Sequence, residues 1–160
     1  MTNVSLRGAT AADRGLLARA TLDDLNWKSP RFTRSEVEDT PQFRHYYDEW
    51  PTGEDFGLVA EDTTGVAVAA VWLRYFTADG PGYGFVAATT PELSIWVDAE
   101  HRGQGIGGLL LRQVAEVARS RGVAAISLSV EDGNPGARLY VRHGFRPAPN
   151  GTPGCLLMQL

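Results

Sequence analysis

The chain reads as a mixed α/β fold: a mostly antiparallel sheet of six to seven strands with about four helices on its two faces. Three observations predict it. Segments of period-2 apolar alternation take turns with segments of helical periodicity along the chain. A glycine-rich turn at 103–108 joins a strand to a helix with nothing else between them. Two hairpin patterns, one within 56–76 and one near the C-terminal end, call for antiparallel neighbours. At 160 residues the chain fits one domain, spanning 1–160, and is long enough to bury a core.

Taken in order, residues 4–7 read as a strand. Thr10 then caps a helix through Leu16, Leu17 and Ala20, with Asp13 three residues on to complement the helix dipole. Residues 26–51 are rich in aromatic and charged side chains and predict one or two short helices with loops. Residues 56–61 and 66–76 form a hairpin about Asp62-Thr63-Thr64-Gly65, and the glycines and proline of 78–84 mark a loop. Leu93, Ile95 and Val97 alternate as in a strand over 92–97. Leu109, Leu110, Val114, Val117 and Ala118 recur at helical spacing until Arg119, Arg121 and Gly122 give basic residues and a stop. A strand over 125–130, a short helix about 134–140 and a terminal hairpin complete the order.

Composition narrows the function classes. A formal charge of -4 argues against a nucleic-acid partner, which normally needs a basic excess. Cys155 is the only cysteine, so no intrachain disulfide framework exists; among Leu156, Leu157 and Met158 it reads as a small buried residue. No run of about 18 apolar residues occurs, and Met1-Thr2-Asn3-Val4-Ser5 lacks the charged and apolar regions of a leader. The expectation is a cytoplasmic protein without a membrane partner.

The most informative stretch is 97–108. Gly103, Gly105, Gly107 and Gly108 carry no side chains to shield the main chain, so successive N–H groups can point at one anion where a helix begins. The helix N-terminus adds its partial positive charge. A pyrophosphate-bearing ligand is the first hypothesis; a tight strand-to-helix connection is the bland one. Gly103-x-Gly105-x-x-Gly108 also satisfies a dinucleotide-binding fingerprint, with Glu131 near the place of its ribose-binding acid. Against that reading, residues 98–102 intervene between strand and glycines, and too little chain follows Gly133 for a doubly wound sheet.

Arg102-x-x-Gly105-x-Gly107 matches the Q/R-x-x-G-x-G/A pattern of the GNAT superfamily of N-acetyltransferases. From Val4 to Leu160 the chain resembles that family in order and spacing. Residues 125–130 look like its next strand, and Asn134-x-x-Ala137-x-x-Tyr140-x-x-x-Gly144-Phe145 looks like its last helix and the turn into a final hairpin. The resemblance implies acetyl transfer from acetyl-CoA to a primary amine of a small molecule or peptide, by direct attack in a ternary complex and without a metal. Homodimers are common among such proteins.

The resemblance also implies roles. The backbone of Ile95, Trp96 and Val97 would pair with the pantetheine arm like an added strand, beside a splay in the sheet, and one of its N–H groups would hold the oxyanion. The pyrophosphate would rest on N–H groups from Arg102, Gly103, Gln104, Gly105, Ile106, Gly107 and Gly108. Asn134, Ala137 and Tyr140 fall at i, i+3 and i+6 and share roughly one helix face; Asn134 would touch the arm and Tyr140 would protonate the departing thiolate. The bland reading of Tyr140 is a core tyrosine. Glu92 matches a position where a glutamate deprotonates the amine, its carboxyl raised by desolvation; an exposed carboxylate at a strand start is the alternative. His45 is a further titratable candidate, and Arg138 or Arg142 would meet the 3′-phosphate. The acceptor site would come from 26–51 and 78–90, where aromatic residues and the acids Glu36, Glu38, Asp39, Asp48, Glu49, Glu54 and Asp55 gather. A non-catalytic acyl-CoA binding or sensing module would share the cradle and Asn134 but make no use of Tyr140 or Glu92.

Overall fold

The computed structural model describes residues 3–160; Met1 and Thr2, which open the stretch read for a leader, lie outside them. Seven strands, β1 (Ser5–Gly8), β2 (Phe56–Glu61), β3 (Ala67–Arg74), β4 (Glu92–Val97), β5 (Ala125–Ser129), β6 (Arg146–Pro147) and β7 (Cys155–Gln159), form one sheet in the order β1-β2-β3-β4-β5-β7-β6. Every pairing is antiparallel except β4 with β5. Five helices cover it: α1 (Arg14–Leu25), α2 (Arg34–Asp39), α3 (Pro41–Arg44), α4 (Ile106–Ser120) and α5 (Gly136–Arg142). The strand count agrees with the sequence reading, and the extra helix comes from 26–51.

Local chemistry explains the elements. Thr10 accepts from the Ala12 N–H and Asp13 accepts from the Thr10 N–H at 2.7 Å, so a single 3-10 turn, Ala11–Asp13, precedes α1. Thr33 and Glu36 make the same reciprocal cap for α2, satisfying two otherwise orphaned donors. β3 is buried from Val68 to Arg74, which is why it reads as a continuous apolar run rather than an alternating one.

That burial divides the core in two. On one face Ile106, Leu110, Val114 and Ala118 of α4 pack on Val71, Leu73, Leu93 and Ile126. On the other, Leu17 and Ala20 of α1 meet Trp50, Trp72 and Trp96. Two indoles of this core are satisfied: Trp50 Nε1 donates to the Leu73 carbonyl at 3.3 Å and Trp72 Nε1 to the Tyr46 carbonyl at 2.9 Å.

The parallel join is short. β4 and β5 share one register pair, Glu92 with Ser127, reinforced by the Ser127 N–H donating to the Pro91 carbonyl at 3.0 Å. Beyond Glu92 the two strands part, and the β5-side edge of β4 from Leu93 to Val97 has no strand partner. The expected splay is present along β4 past Glu92. One expectation is corrected nearby: Asn134 lies before α5 rather than within it, although its side chain and that of Tyr140 still face common space, a Cβ on Gly136 standing 3.2 Å from Asn134 Oδ1 and 3.6 Å from Tyr140 Oη. Its Oδ1 accepts from the Gly136 N–H at 2.9 Å, the local bond by which Asn competes with helical pairing just before a helix.

Candidate active site

A cleft of about 910 Å³ opens where β4 and β5 part. It is lined by the exposed edge of β4, the turn 102–108, the N-terminal part of α5, the end of α1 and aromatic side chains from 26–51. These elements include the segments from which the sequence reading assembled donor and acceptor sites.

At the glycine turn, Gly103 and Gly105 take φ of 76° and 81°, a left-handed conformation that side chains oppose. Leu109 N–H makes the bond to the Gly105 carbonyl at 3.1 Å, and helix geometry aims the amides ahead of it along the axis toward the cleft. Gly107 serves another purpose as well, since a Cβ there would lie 3.0 Å from Leu139 Cδ2 of α5. The four glycines therefore answer to two constraints, a strained turn and a close helix approach. Arg102 folds its Nε onto the Val97 carbonyl at 3.3 Å, joining the turn to the strand edge.

Glu92 is 4% exposed and lines the cleft at the point of divergence. Tyr46 Oη donates to its Oε2 at 2.5 Å and the Gly84 N–H donates to its Oε1 at 3.0 Å, while the Tyr83 N–H donates to Tyr46 Oη at 2.8 Å. Burial pushes the carboxyl up to about 7, with the two donors pulling the other way. Burial likewise raises the Tyr46 hydroxyl far above its ordinary value, so it stays a donor. The alternative of an exposed carboxylate is thereby overturned. Gly82 permits this packing: a Cβ on it would stand 2.2 Å from Glu92 Oε1 and 2.9 Å from Tyr46 Oη.

Tyr140 lines the same cleft, its ring edge-on to Phe145 with centroids 6.0 Å apart. Burial raises its hydroxyl, with the Asp24 carboxyl adding to the effect. No protein group among the described residues hydrogen-bonds that hydroxyl, unlike the satisfied core tyrosine of the bland reading. Ile95, Val97, Arg102, Gly103, Gly105, Ile106, Gly107, Gly108 and Asn134 also line the cleft. Trp96 and Gln104 do not. The Trp96 indole alternates to the α1 face, where Nε1 donates to Asp23 at 2.9 Å, leaving only its backbone near the cleft edge; Gln104 stands exposed at the tip of the turn.

Other candidates are redistributed. His45 packs against Phe76, the rings tilted by 41° with centroids 4.5 Å apart, outside the cleft lining, and burial lowers the pKa of its imidazole. Arg142 lines the cleft and Arg138 does not. The acids of 36–55 lie off the cleft: Glu38 and Asp48 pair with Arg34 and Arg44 along their own helices or turns, and Asp55 is buried against Arg74 at 3.4 Å. The Cys155 thiol is buried, donating to the Gly84 carbonyl at 3.5 Å. Sequence reasoning missed Tyr46 as the partner of Glu92; the clustering of Gly80, Gly82 and Gly84 was the available signal that a backbone there must come close to something. Among the described residues no group of three or more His, Cys, Asp or Glu could hold a metal, and no helix is long and apolar enough to cross a membrane.

A splayed β-strand edge, a glycine turn opening a helix and a buried carboxyl between them define an acyl-group transferase architecture. The chain belongs to the acetyltransferase (GNAT) family, whose model matches residues 20–145. It is 34% identical over 102 residues to YwnH of Bacillus subtilis (strain 168), provisionally a phosphinothricin acetyltransferase, a match covering 61% of this chain and 59% of that protein. It is 30% identical over 143 residues to the streptothricin acetyltransferase of Streptomyces lavendulae, covering 82% of this chain and 71% of that one. The fold is similar to that of the PaiA N-acetyltransferase of Thermoplasma acidophilum in complex with coenzyme A, with a TM-score of 0.70 and 15% identity over 99% of this chain and 100% of that one. The dinucleotide reading falls with the sheet, which is antiparallel at all but one join and not doubly wound.

Proposed function

We propose that residues 1–160 act as one domain that moves the acetyl group of acetyl-CoA to a primary amine by direct attack in a ternary complex. The observation that carries this reading is Glu92, a desolvated carboxyl fixed by Tyr46 and Gly84 at the point where β4 and β5 separate. A pantetheine amide chain fits the unpaired edge of β4, and a pyrophosphate fits the amides between Arg102 and Gly108.

In this mechanism Glu92 takes a proton from the bound ammonium, directly or through one water, and the neutral amine nitrogen forms a bond to the thioester carbonyl carbon. An N–H of β4 near Ile95 to Val97 steadies the negative charge that develops on the carbonyl oxygen. As the carbon–sulfur bond breaks, Tyr140 supplies its proton to the thiolate, and the second proton, lost from the nitrogen as the amide forms, returns through solvent to the Tyr140 phenolate. The desolvation that keeps Tyr140 protonated raises the proton affinity of a thiolate in the same cleft too.

The test is Tyr140→Phe assayed by thiol release alongside acetyl-CoA affinity. Loss of turnover with affinity retained is expected. Unchanged turnover would remove Tyr140 from the reaction, and acetyl-CoA binding with no turnover on any amine in the unaltered protein would favour a non-catalytic acyl-CoA module.

A further inference from the structure

Resting on acetyl transfer with Glu92 as the base, we infer that Tyr83 is a positioning residue: its ring receives the carbon skeleton of the bound amine, and its backbone holds the base in place. Exposure singles it out. Tyr83 is 54% exposed, and of the three large apolar side chains so placed among the described residues, Val66, Tyr83 and Val141, it alone lines the cleft. Its ring ends an aromatic wall, tilted by 38° and 6.2 Å from Phe43, which meets Phe32 edge to face at 5.0 Å. Phe32 and Phe43 line the cleft with it. An apolar group entering the cleft therefore finds in Tyr83 a ring that the other side chains leave half uncovered.

The backbone of the same residue serves the carboxyl. The Tyr83 N–H donates to Tyr46 Oη at 2.8 Å, and Tyr46 Oη donates in turn to Glu92 Oε2 at 2.5 Å. On one side of Tyr83, the Gly84 N–H donates to Glu92 Oε1 at 3.0 Å; on the other, Gly82 passes so near that a Cβ on it would stand 2.2 Å from that oxygen. The loop is fastened from below as well. The Gly84 carbonyl accepts from the Cys155 thiol of β7 at 3.5 Å, and a Cβ on Gly84 would stand 2.6 Å from the Leu128 carbonyl carbon of β5. Residues 82–84 thus join one cleft-facing ring to both oxygens of the base.

The other groups around Glu92 leave its position to this loop and Tyr46. Arg74, its cross-strand neighbour on β3, turns instead to Asp55 at 3.4 Å and to the His45 and Asp48 carbonyls at 3.0 Å and 2.6 Å. Ser127, opposite on β5, brings only a buried hydroxyl without a partner. Contact with a non-reacting part of a substrate can fix a reacting group, and its effect then appears in kcat rather than in KM alone. A carbon skeleton packed on the Tyr83 ring steadies the loop, and the loop steadies the carboxyl that takes the proton.

Methylamine, pentylamine and phenylbutylamine, of nearly equal basicity, isolate the ring contact, because methylamine has no skeleton to reach it. Thiol release from acetyl-CoA is followed with each. The two longer amines are expected to show the higher kcat, by roughly tenfold or more. Tyr83→Ala should erase that advantage and lower kcat for them roughly tenfold to a hundredfold, while Tyr83→Phe keeps it and Kd for acetyl-CoA holds in both variants. The inflection of kcat with pH should move upward in Tyr83→Ala, since the donors to the carboxylate are held less firmly. The inference is overturned by equal kcat for the three amines in the unaltered protein, or by a loss in Tyr83→Ala confined to KM, which would leave the ring a plain contact surface. It is overturned equally by an inflection that stays or moves down, or by Tyr83→Phe behaving as Tyr83→Ala. Failure of the underlying reading looks different: the unaltered protein then binds no acetyl-CoA or releases no thiol with any amine, and the inference falls with it.

Discussion

In the proposed mechanism the chemistry centres on one carboxyl, that of Glu92. Its position near neutrality, pushed up to about 7 by burial, suits a base that must accept a proton from an ammonium at physiological pH. The rate kcat/KM is therefore expected to rise with pH through an apparent pKa near 7 and to level off above it. Glu92→Gln should lower kcat/KM by roughly 10²- to 10⁴-fold and abolish that inflection; a full inflection in the variant would assign it to another group. Tyr46 offers the complementary test. Its hydroxyl stabilises the charged form of Glu92, so Tyr46→Phe should move the inflection to higher pH. A downward move would contradict the arrangement.

At the scale of elements, the site depends on two backbone segments that only glycine allows. The loop holding Gly82 and Gly84 presses on Glu92, and Gly82→Ala would force Glu92 Oε1, 2.2 Å from the new Cβ, out of place. Turnover should fall roughly tenfold to a hundredfold with acetyl-CoA affinity little changed. Gly105→Ala, at φ 81°, should do the reverse: a strain of about 1–2 kcal/mol and weakened acetyl-CoA binding. Equal effects of the two variants on affinity and turnover would contradict the division of the cleft into donor and acceptor parts. These elements differed in how legible they were. The bounds of β4 could be read from the alternation of Leu93, Ile95 and Val97, and those of α4 from its apolar spacing, because both signals are local. Asn134 was misplaced because helical spacing alone does not register a side chain that bonds the backbone two residues on. The Glu92–Tyr46 pair joins residues 46 apart in the chain, and no local pattern encodes it.

Across the whole molecule, a buried carboxyl has a cost in stability whose sign follows from its proton binding. The folded chain holds the Glu92 proton up to about 7, whereas the unfolded chain releases it near 4.5, so stability falls as pH rises through that window. The loss is on the order of 3 kcal/mol by about pH 8. Glu92→Gln should thus be close to the unaltered protein in Tm at pH 4 and exceed it by several degrees at pH 8; a variant no more stable at pH 8 would show that the carboxylate is better solvated than its surroundings imply. The sheet shows the same compromise in its topology, as β4 and β5 stay joined at Glu92 and Ser127 and then give up further pairing to open the cleft.

The most direct measurement is a calorimetric titration of the protein with acetyl-CoA, with NAD as a parallel ligand, repeated on Gly105→Ala. Binding of acetyl-CoA at one site, weakened by the substitution and absent for NAD, is the result predicted for a strand edge and glycine turn that hold an acyl donor beside Glu92. No binding of acetyl-CoA, or affinity indifferent to Gly105→Ala, would contradict it and return the turn to a purely structural role.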